Sequence, residues 1–337
     1  MPNPFASRRR GVAIGLGVGL SVAVVVTLCL GAVIIAPAEV SAVFLGRLLP
    51  TIGRTPSALA EAVLWNIRLP RALMGVVGGG ALAVAGVVLQ GVFRNPLADP
   101  QLLGIGAGAS LGAVMGSAAG ATQGAIAGGA AAGMLTALVV RRLGRRGAQQ
   151  PSRFILTGVA LSAALTAWVG FVVFGGDRTR IPPMEFWLLG SLAGSTWRGV
   201  GTTAVLVSLG LAGLFSGARS LDLLALGESE ARHLGVDVDL VTTMLLLGVG
   251  VVTGATVGAV GVIGFVGLLI PHLIRILTGP AHRPLMFASL LGGGLFVVLA
   301  DLASRTVAIP IEIPVGLVTA VLGGPFLLWL IRRVGRV

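Results

Sequence analysis

The feature that most constrains this chain is a succession of long apolar runs, each interrupted by arginine, proline or acidic residues. A helix that crosses a lipid bilayer needs about 20 predominantly apolar residues, and about ten such runs can be counted here. They are residues 11–36, 70–93, 101–119, 124–143, 152–175, 198–217, 240–259, 262–277, 284–308 and 315–333. The third, fourth and eighth are the weakest, because they are short or rich in glycine. The sequence predicts an all-α polytopic membrane protein with ten transmembrane helices.

Composition supports the same class of protein. Charged residues make up 11% of the chain, whereas an ordinary soluble domain contains about 25%. The mean hydropathy is +0.99. These values argue against a single water-soluble enzyme domain. The chain also holds 53 glycines, which membrane helices use to let their backbones approach closely.

Several residue types that chemistry requires are missing. The chain has no lysine, so it cannot form a GxxxxGK[ST] phosphate loop or a Schiff base. If ATP drives this protein, another chain must hydrolyse it. Cys29 is the single cysteine, which excludes an internal disulfide and a CxxC metal site. His272 and His282 could be imagined as haem or metal ligands, but neither has a second ligand at helical spacing. The sequence predicts no catalytic residues, no metal site and no cofactor.

The charge pattern predicts an orientation in the membrane. The formal net charge of +12 could suggest a nucleic-acid partner. The arginines separate apolar runs, however, so we interpret them by the positive-inside rule. An even number of spans places both termini on one side. With the N-terminus inside, arginines in inner segments outnumber those in outer segments by about two to one. Both termini are therefore predicted to be cytoplasmic.

Residues 67–71, IRLPR, lie at the predicted outer end of the second run, where Pro70 would start a helical turn. Arg68 and Arg71 are three residues apart, so they share one face of that turn. They could be interfacial anchors whose long side chains reach the lipid headgroups. They could also form a basic patch for an acidic partner outside. Their position on the arginine-poor side favours the patch.

Residues 93–100, FRNPLADP, connect the second and third runs on the predicted cytoplasmic side. Two prolines and an Asn-Pro step are typical of a rigid, non-helical turn. Irregular backbone near a membrane usually borders protein or a cavity instead of lipid. This turn is therefore a candidate functional element.

Residues 221–239, LDLLALGESEARHLGVDVD, are unusually rich in ionisable side chains. Residues 229–234 predict a short helix that Gly235 ends. This helix could be a solvated connector or a docking element for a soluble partner. Further along, Asp301 and Arg305 are spaced i,i+4, and an ion pair between them would explain Arg305 without any functional role.

Glycine recurs at every fourth position in two places, at residues 104, 108, 112 and 116 and at residues 250, 254 and 258. On a helix this spacing leaves one face without side chains, so it predicts tight helix packing.

Seven segments together resemble the FecCD family, the permease subunits of bacterial ABC importers for iron chelates, haem and cobalamin. They follow the family order from end to end: IRLPR (67–71), GVVLQGVFRNPLADPQLLGIGAGASLGAV (86–114), SRFILTGVAL (152–161), FWLLGSL (186–192), LLALGESEARHLGV (223–236), GAVGVIGFVGLLIPHLIR (258–275) and EIPVGLVTAVLGGPFLLWLI (312–331).

The resemblance implies the type II ABC importer permease fold, with residues 1–337 as one transmembrane domain in the bacterial cytoplasmic membrane. Residues 221–239 would be a cytoplasmic coupling segment within it. It also implies a homodimer, two copies of a separate cytoplasmic ATPase and an extracytoplasmic substrate-binding protein, with membrane lipid around the dimer and no nucleic acid.

The family's functional residues carry over by motif. The resemblance implies docking of the binding protein at Arg68, Arg71 and Arg305. It implies contact with the ATPase at Ala225, Leu226, Gly227, Glu228, Ala231, Leu234 and Gly235. It implies a cytoplasmic gate at Asn95, Leu97 and Ser152, although Pro151 departs from the small polar residue that relatives often have there.

These implications predict an alternating-access permease that is not itself an enzyme. The RNPLADP and FWLLGSLAGSTW stretches look most like haem-importing members, so haem is the first predicted cargo. A ferric siderophore comes second and cobalamin third. A secondary transporter is the alternative from another class, but it would normally need acidic residues within the spans. A purely structural membrane protein is the remaining alternative.

Overall fold

The computed structural model describes residues 6–48, 57–118, 122–144, 151–176 and 181–334. Within these ranges the regular structure is entirely helical. The helices are α1 (Ala6–Cys29), α2 (Pro37–Leu48), α3 (Ala58–Val63), α4 (Leu69–Val92), α5 (Ile105–Ala118), α6 (Thr122–Gly144), α7 (Pro151–Gly175), α8 (Met184–Leu189), α9 (Trp197–Ser216), α10 (Ala218–Leu224), α11 (Glu228–His233), α12 (Val238–Val260), α13 (Val266–Thr278), α14 (His282–Ser304) and α15 (Val315–Val334).

Seven helices of the described ranges are long and apolar enough to cross a membrane. They are Arg8–Cys29, Ala58–Val92, Thr122–Leu143, Leu156–Gly175, Trp197–Ser216, Val238–Val260 and His282–Ser304. Three shorter apolar helices, Ile105–Ala118, Val266–Thr278 and Val315–Leu330, fall on the third, eighth and tenth predicted runs. The fourth run, predicted to be weak, forms the 23-residue helix α6.

The second run begins earlier than predicted. Instead of starting at Pro70, the helix starts at Ala58, after Ser57, whose Oγ accepts from the Ala60 N–H at 3.2 Å. A π-helical turn at Leu64–Arg68 joins α3 to α4. Proline cannot donate a backbone hydrogen bond, and its ring crowds the carbonyl four residues before it. A wider π turn next to Pro70 absorbs that conflict, so the helix continues through the proline.

Helix α4 is the centre of the bundle, because every residue from Gly78 to Gly91 is buried. It packs lengthwise against α14 with direct backbone contact. A Cβ at Gly79 would lie 2.3 Å from the Gly293 carbonyl oxygen, and one at Gly293 would lie 2.3 Å from the Gly79 oxygen. Neither position can accept a side chain without separating the two helices.

The predicted glycine stripes do pack helices. In α5, a Cβ at Gly112 would lie 2.3 Å from the Gly128 oxygen of α6. In α12, one at Gly254 would lie 2.2 Å from the Gly129 oxygen of the same α6. Gly104 is the exception, because it precedes α5 and has φ +78°, so it serves the turn and not the helix face.

The bundle has two ends that matter for function. At the first, which we name the arginine end, α4 begins, α14 ends and the Trp65 and Trp197 rings lie 5.0 Å apart. At the second, which we name the coupling end, α4 ends and α14 begins. Helix α1 also starts there, where Arg9 Nε donates to the Thr278 carbonyl at 2.8 Å.

Candidate functional site

The three predicted docking arginines lie together at the arginine end, but they are buried. Arg68, Arg71 and Arg305 are 5%, 7% and 8% exposed. The irregular segment after α1 runs directly over two of them, because a Cβ at Gly31 would lie 2.8 Å from Arg305 Nη1 and 2.9 Å from Arg68 Nη2. The guanidinium groups therefore face protein atoms, which favours a role inside the protein over interfacial anchoring.

The Arg68 side chain caps the C-terminal end of α1. Its Nη1 donates to the carbonyls of Leu28 at 2.5 Å and Cys29 at 3.1 Å, and its Nη2 donates to the Val33 carbonyl. The Leu28 and Cys29 carbonyls belong to the last turn of α1, where intrahelical donors are missing, and Val33 lies just beyond it. A cation at a helix C-terminus is also favoured by the helix dipole. Arg68 thus stabilises the chain where α1 stops.

Arg71 holds two carboxylates. Its Nε lies 3.0 Å from both carboxylate oxygens of Asp301, and its Nη2 lies 2.9 Å from Asp301 Oδ1. Its Nη1 donates to Glu312 Oε2 at 2.9 Å. Asp301 is buried, whereas the Glu312 side chain is 49% exposed. Glu312 is therefore the partner of Arg71 that solvent can reach.

Arg305 completes the cluster from the end of α14. Its Nη2 donates to the Thr27 carbonyl at 2.5 Å and to the Thr27 hydroxyl. Its Nε lies 3.6 Å from Asp301 Oδ2, so the predicted i,i+4 ion pair is confirmed. We name Arg68, Arg71, Asp301, Arg305 and Glu312 the arginine cluster. Sequence spacing could not reveal the Arg71–Asp301 pair, because the two residues are 230 positions apart.

At the coupling end, the predicted non-helical turn after α4 is confirmed. Arg94 has φ 47°, and the side chains of Asn95 and Asp99 accept from the backbone N–H groups of Leu97 at 2.9 Å and Gln101 at 2.8 Å. Such Asx turns fix the backbone locally. Burial raises the pKa of the Asp99 carboxyl to about 6, against the effect of its backbone hydrogen bonds.

The residues on either side of the turn, Phe93 and Leu102, pack against the first half of α7. The Phe93 and Phe154 rings lie 4.8 Å apart. A Cβ at Gly158 would lie 2.5 Å from the Leu102 carbonyl oxygen. Ser152 belongs to the first turn of α7, but its side chain lies outside the described residues.

The predicted coupling segment forms two short helices, α10 and α11, on the same end. Helix α11 starts one residue before the predicted helix, and Gly235 with φ 84° follows it as predicted. Gly227 has φ 129°, a conformation that favours glycine. Ala231 is buried, whereas Leu226 and Leu234 are 63% and 59% exposed.

Sequence reasoning missed a contact that joins this segment to the bundle. Asp222 Oδ1 accepts from the backbone N–H of His282 at 2.9 Å and lies 2.7 Å from His282 Nδ1. His282 is 60 positions from Asp222, so no helical spacing signals the pair. Nearby, Arg275 Nη2 donates to Gln90 Oε1 at 3.1 Å, which links α13 to α4.

His272 and His282 have other partners in the part of the chain that the structure describes. Within the described ranges no group of three or more His, Cys, Asp or Glu side chains could hold a metal ion. The His272 ring lies edge-on to Phe326 at 5.7 Å, and His282 faces Asp222.

The described residues thus form a helical membrane bundle, with a non-helical turn and a charged segment at one end and a cluster of arginines at the other. The sequence profile of the FecCD transport family matches residues 19–333. The chain belongs to this family and is a permease of the ABC transporter type, a multi-pass protein of the cytoplasmic membrane.

Individual relatives agree with this assignment. The chain is 40% identical to the hemin transport system permease HmuU of Yersinia pestis, over 84% of this chain and 87% of that protein. It is 40% identical to the Fe(3+) dicitrate permease FecD of Escherichia coli, over 80% and 85%. It is 39% identical to the cobalamin permease BtuC of Halobacterium salinarum, over 81% and 74%.

A solved structure gives the same fold. A metal-chelate type ABC transporter in an inward-facing conformation superposes with a TM-score of 0.81 and 30% identity, covering 96% of this chain and 99% of that one.

Proposed function

We propose that this chain is the membrane-spanning half of an ATP-driven importer and that its cargo is hemin. The observation that carries the importer is the family match over residues 19–333, together with the fold shared with a metal-chelate ABC transporter. Hemin is supported by the similarity to HmuU, which covers more of this chain than the other two relatives do. A ferric siderophore and cobalamin are the alternative cargoes.

The proposed assembly is a homodimer with ten spans per subunit and both termini in the cytoplasm. Two ATPase copies bind the coupling end, and an extracytoplasmic binding protein docks at the arginine end. The seven long and three shorter apolar helices support ten spans. The absence of lysine supports a separate ATPase, because the phosphate-binding loop needs that residue.

Docking at the arginine end works by exchange of carboxylates. Arg71 keeps its buried partner Asp301, while an acidic side chain of the binding protein takes the place of Glu312 on Nη1. The exposure of Glu312 supports this exchange. Arg68 and Arg305 hold the end of α1 against the same surface, and so contribute by shaping it.

Transport proceeds by alternating access. ATP binding closes the ATPase dimer, the coupling segment transmits that movement, and the turn at Asn95 and Leu97 opens or closes against α7 near Ser152. The permease binds and releases cargo and forms no covalent bond with it. A path that must release its cargo should hold it weakly.

The test is ATP-driven uptake into proteoliposomes that contain this permease, its ATPase and its binding protein. The binding protein is added outside the proteoliposomes, and ATP is enclosed with the ATPase inside them. We expect radiolabelled hemin to accumulate only when ATP is present. We expect a ferric hydroxamate siderophore and cobalamin not to accumulate. Uptake of either of those instead of hemin would overturn the cargo. ATP-independent uptake by the permease alone would overturn the importer in favour of a secondary transporter.

A single substitution tests the proposed exchange of carboxylates in the same proteoliposomes. Glu312→Gln removes the competing charge but leaves the buried Arg71–Asp301 pair, so we expect tighter binding of the binding protein. Glu61→Gln is the control, because Glu61 pairs at 2.8 Å with the exposed Arg47, outside the cluster. Weaker binding by Glu312→Gln would contradict the exchange.

A further inference from the structure

Helices α4 and α14 are fastened to each other along their whole length. At the arginine end Arg71 of α4 binds Asp301 of α14. In the middle the backbones touch at Gly79 and Gly293. At the coupling end a Cβ on Gly91 of α4 would lie 2.7 Å from His282 Nε2 of α14. The two helices therefore cannot slide past each other without breaking one of these contacts.

The coupling segment reaches this helix pair at one point. Asp222 of α10 accepts both the backbone N–H and the side-chain Nδ1–H of His282, the first residue of α14. Helix α14 has no side-chain cap of its own, because its N-cap residue is Ala281. Asp222 supplies the missing cap from another element, and a carboxylate there is also favoured by the helix dipole.

The Asp222–His282 contact also lies near the non-helical turn at Asn95 and Leu97, which we name the gate turn. Leu221, next to Asp222, packs against Gly91, where its Cδ2 would lie 3.1 Å from an added Cβ. Gly91 is in the last turn of α4, four residues before Asn95. Displacement of α10 therefore acts on α14 through the Asp222–His282 hydrogen bonds and on the end of α4 through direct packing.

From this geometry we propose that Asp222 and His282 are positioning residues that carry the movement of the coupling segment into the α4–α14 pair. The pair then moves as one rigid body about 30 Å long, which is the length of the 20 residues from His282 to Asp301. One contact thereby joins the ATPase end to the gate turn and to the arginine cluster. This inference rests on the proposed function, because it needs an ATPase that moves the coupling segment.

The experiment uses the permease–ATPase complex in lipid nanodiscs. A reporter cysteine, Leu97→Cys, is placed in the gate turn of a Cys29→Ala background, and its labelling by a small maleimide is timed with and without ATP and vanadate. In the parent complex we expect ATP to change the labelling rate. In Asp222→Ala and in His282→Ala we expect that change to be lost, while the ATPase still co-purifies and still hydrolyses ATP.

Three further variants separate coupling from folding. His282→Asn keeps an N–H donor at the position of Nδ1, so it should restore the ATP-dependent change. The double variant Asp222→Ala/His282→Ala should be no worse than Asp222→Ala alone, because Asp222→Ala already removes both hydrogen bonds to His282. Thr196→Ala removes a cap from α9 at the arginine end, where Thr196 Oγ1 accepts from Gly199 at 3.2 Å, and should leave the change intact.

The outcomes are distinguishable. An ATP-dependent change that survives in both single variants would overturn the link and leave the importer standing. An equal loss of the ATP-dependent change in Thr196→Ala would also overturn the link, because removing an unrelated helix cap would then have the same effect. A parent complex whose labelling ignores ATP, or from which the ATPase does not co-purify, would overturn the importer proposal and the link with it.

Discussion

At the scale of single residues, buried charge in this protein is matched by partners that come from distant parts of the chain. Arg71 meets Asp301 across 230 positions, and the half-exposed Asp222 forms hydrogen bonds with the buried His282 across 60 positions. Removing one partner of a buried pair leaves an uncompensated charge and costs several kcal/mol. Asp99 differs, because its carboxyl is buried against backbone N–H groups and not against a cation.

The burial of Asp99 predicts a pH dependence of stability. Its pKa rises from 3.8 to about 6 on folding, so between those values the folded state holds a proton that the unfolded state has released. Stability therefore falls as the pH rises through that window and is level above it. Asp99→Asn keeps an oxygen acceptor but cannot titrate.

We expect thermal unfolding of Asp99→Asn in detergent to show a smaller fall in midpoint between pH 4 and pH 6 than the parent shows. At pH 7 the variant should exceed the parent by on the order of 1–3 kcal/mol. Asp237→Asn, at the exposed cap of α12, is the matched control and should retain the fall. If Asp99→Asn had the same pH profile as the parent, the raised pKa of Asp99 would not be the cause of the fall.

At the scale of elements, glycine decides which helices can meet. The α4–α14, α5–α6 and α6–α12 contacts all bring a glycine of one helix against a carbonyl of the next. In lipid the apolar surface alone does not drive helices together, so close backbone approach provides the packing energy. Other glycines, such as Gly15 in α1, have open space around them.

This difference predicts opposite effects of the same substitution. Gly79→Ala forces a Cβ against the Gly293 carbonyl, and such overpacking costs roughly 1–3 kcal/mol. Gly15→Ala meets nothing within 4 Å and gains helix propensity, so it should be neutral or slightly stabilising. Thermal unfolding of the two purified variants in detergent compares them directly. Equal midpoints would show that the α4–α14 contact is looser than described.

At the scale of the whole molecule, the two ends of the bundle have different surfaces. The arginine end presents Glu312 above a buried cluster of arginines. The coupling end presents Leu226 and Leu234, two exposed apolar side chains on a segment rich in charge. Exposed leucines among charged residues suit contact with a soluble protein better than contact with lipid.

We therefore expect Leu226→Ser/Leu234→Ser to weaken ATPase binding at least about tenfold, because burying a leucine contributes about 1.5–3 kcal/mol. Affinity of the detergent-solubilised permease for the ATPase measures this. Leu59→Ser is the matched control, since Leu59 is 66% exposed but lies in α3, near the arginine end. Undiminished affinity in the double variant would place the ATPase elsewhere.

Local patterns in the sequence were sufficient for the class of protein and for several elements. Apolar runs of bilayer length predicted the long helices, Asn-Pro predicted the turn after α4, and Gly235 predicted the end of α11. The predicted start of the second span was wrong. The propensity of proline to begin a helix was outweighed by a π turn, which lets the helix continue through Pro70.

What the sequence by itself determined about this protein is its apolar, helical, membrane-spanning character and the family to which it belongs. These follow from hydrophobicity and motif order, which are properties of neighbouring residues. Only the tertiary structure decided that the arginines of the cluster are buried, that Asp222 caps α14, and that α4 and α14 are in contact at three places along their length. Those facts depend on residues tens to hundreds of positions apart, which meet only when the helices have packed.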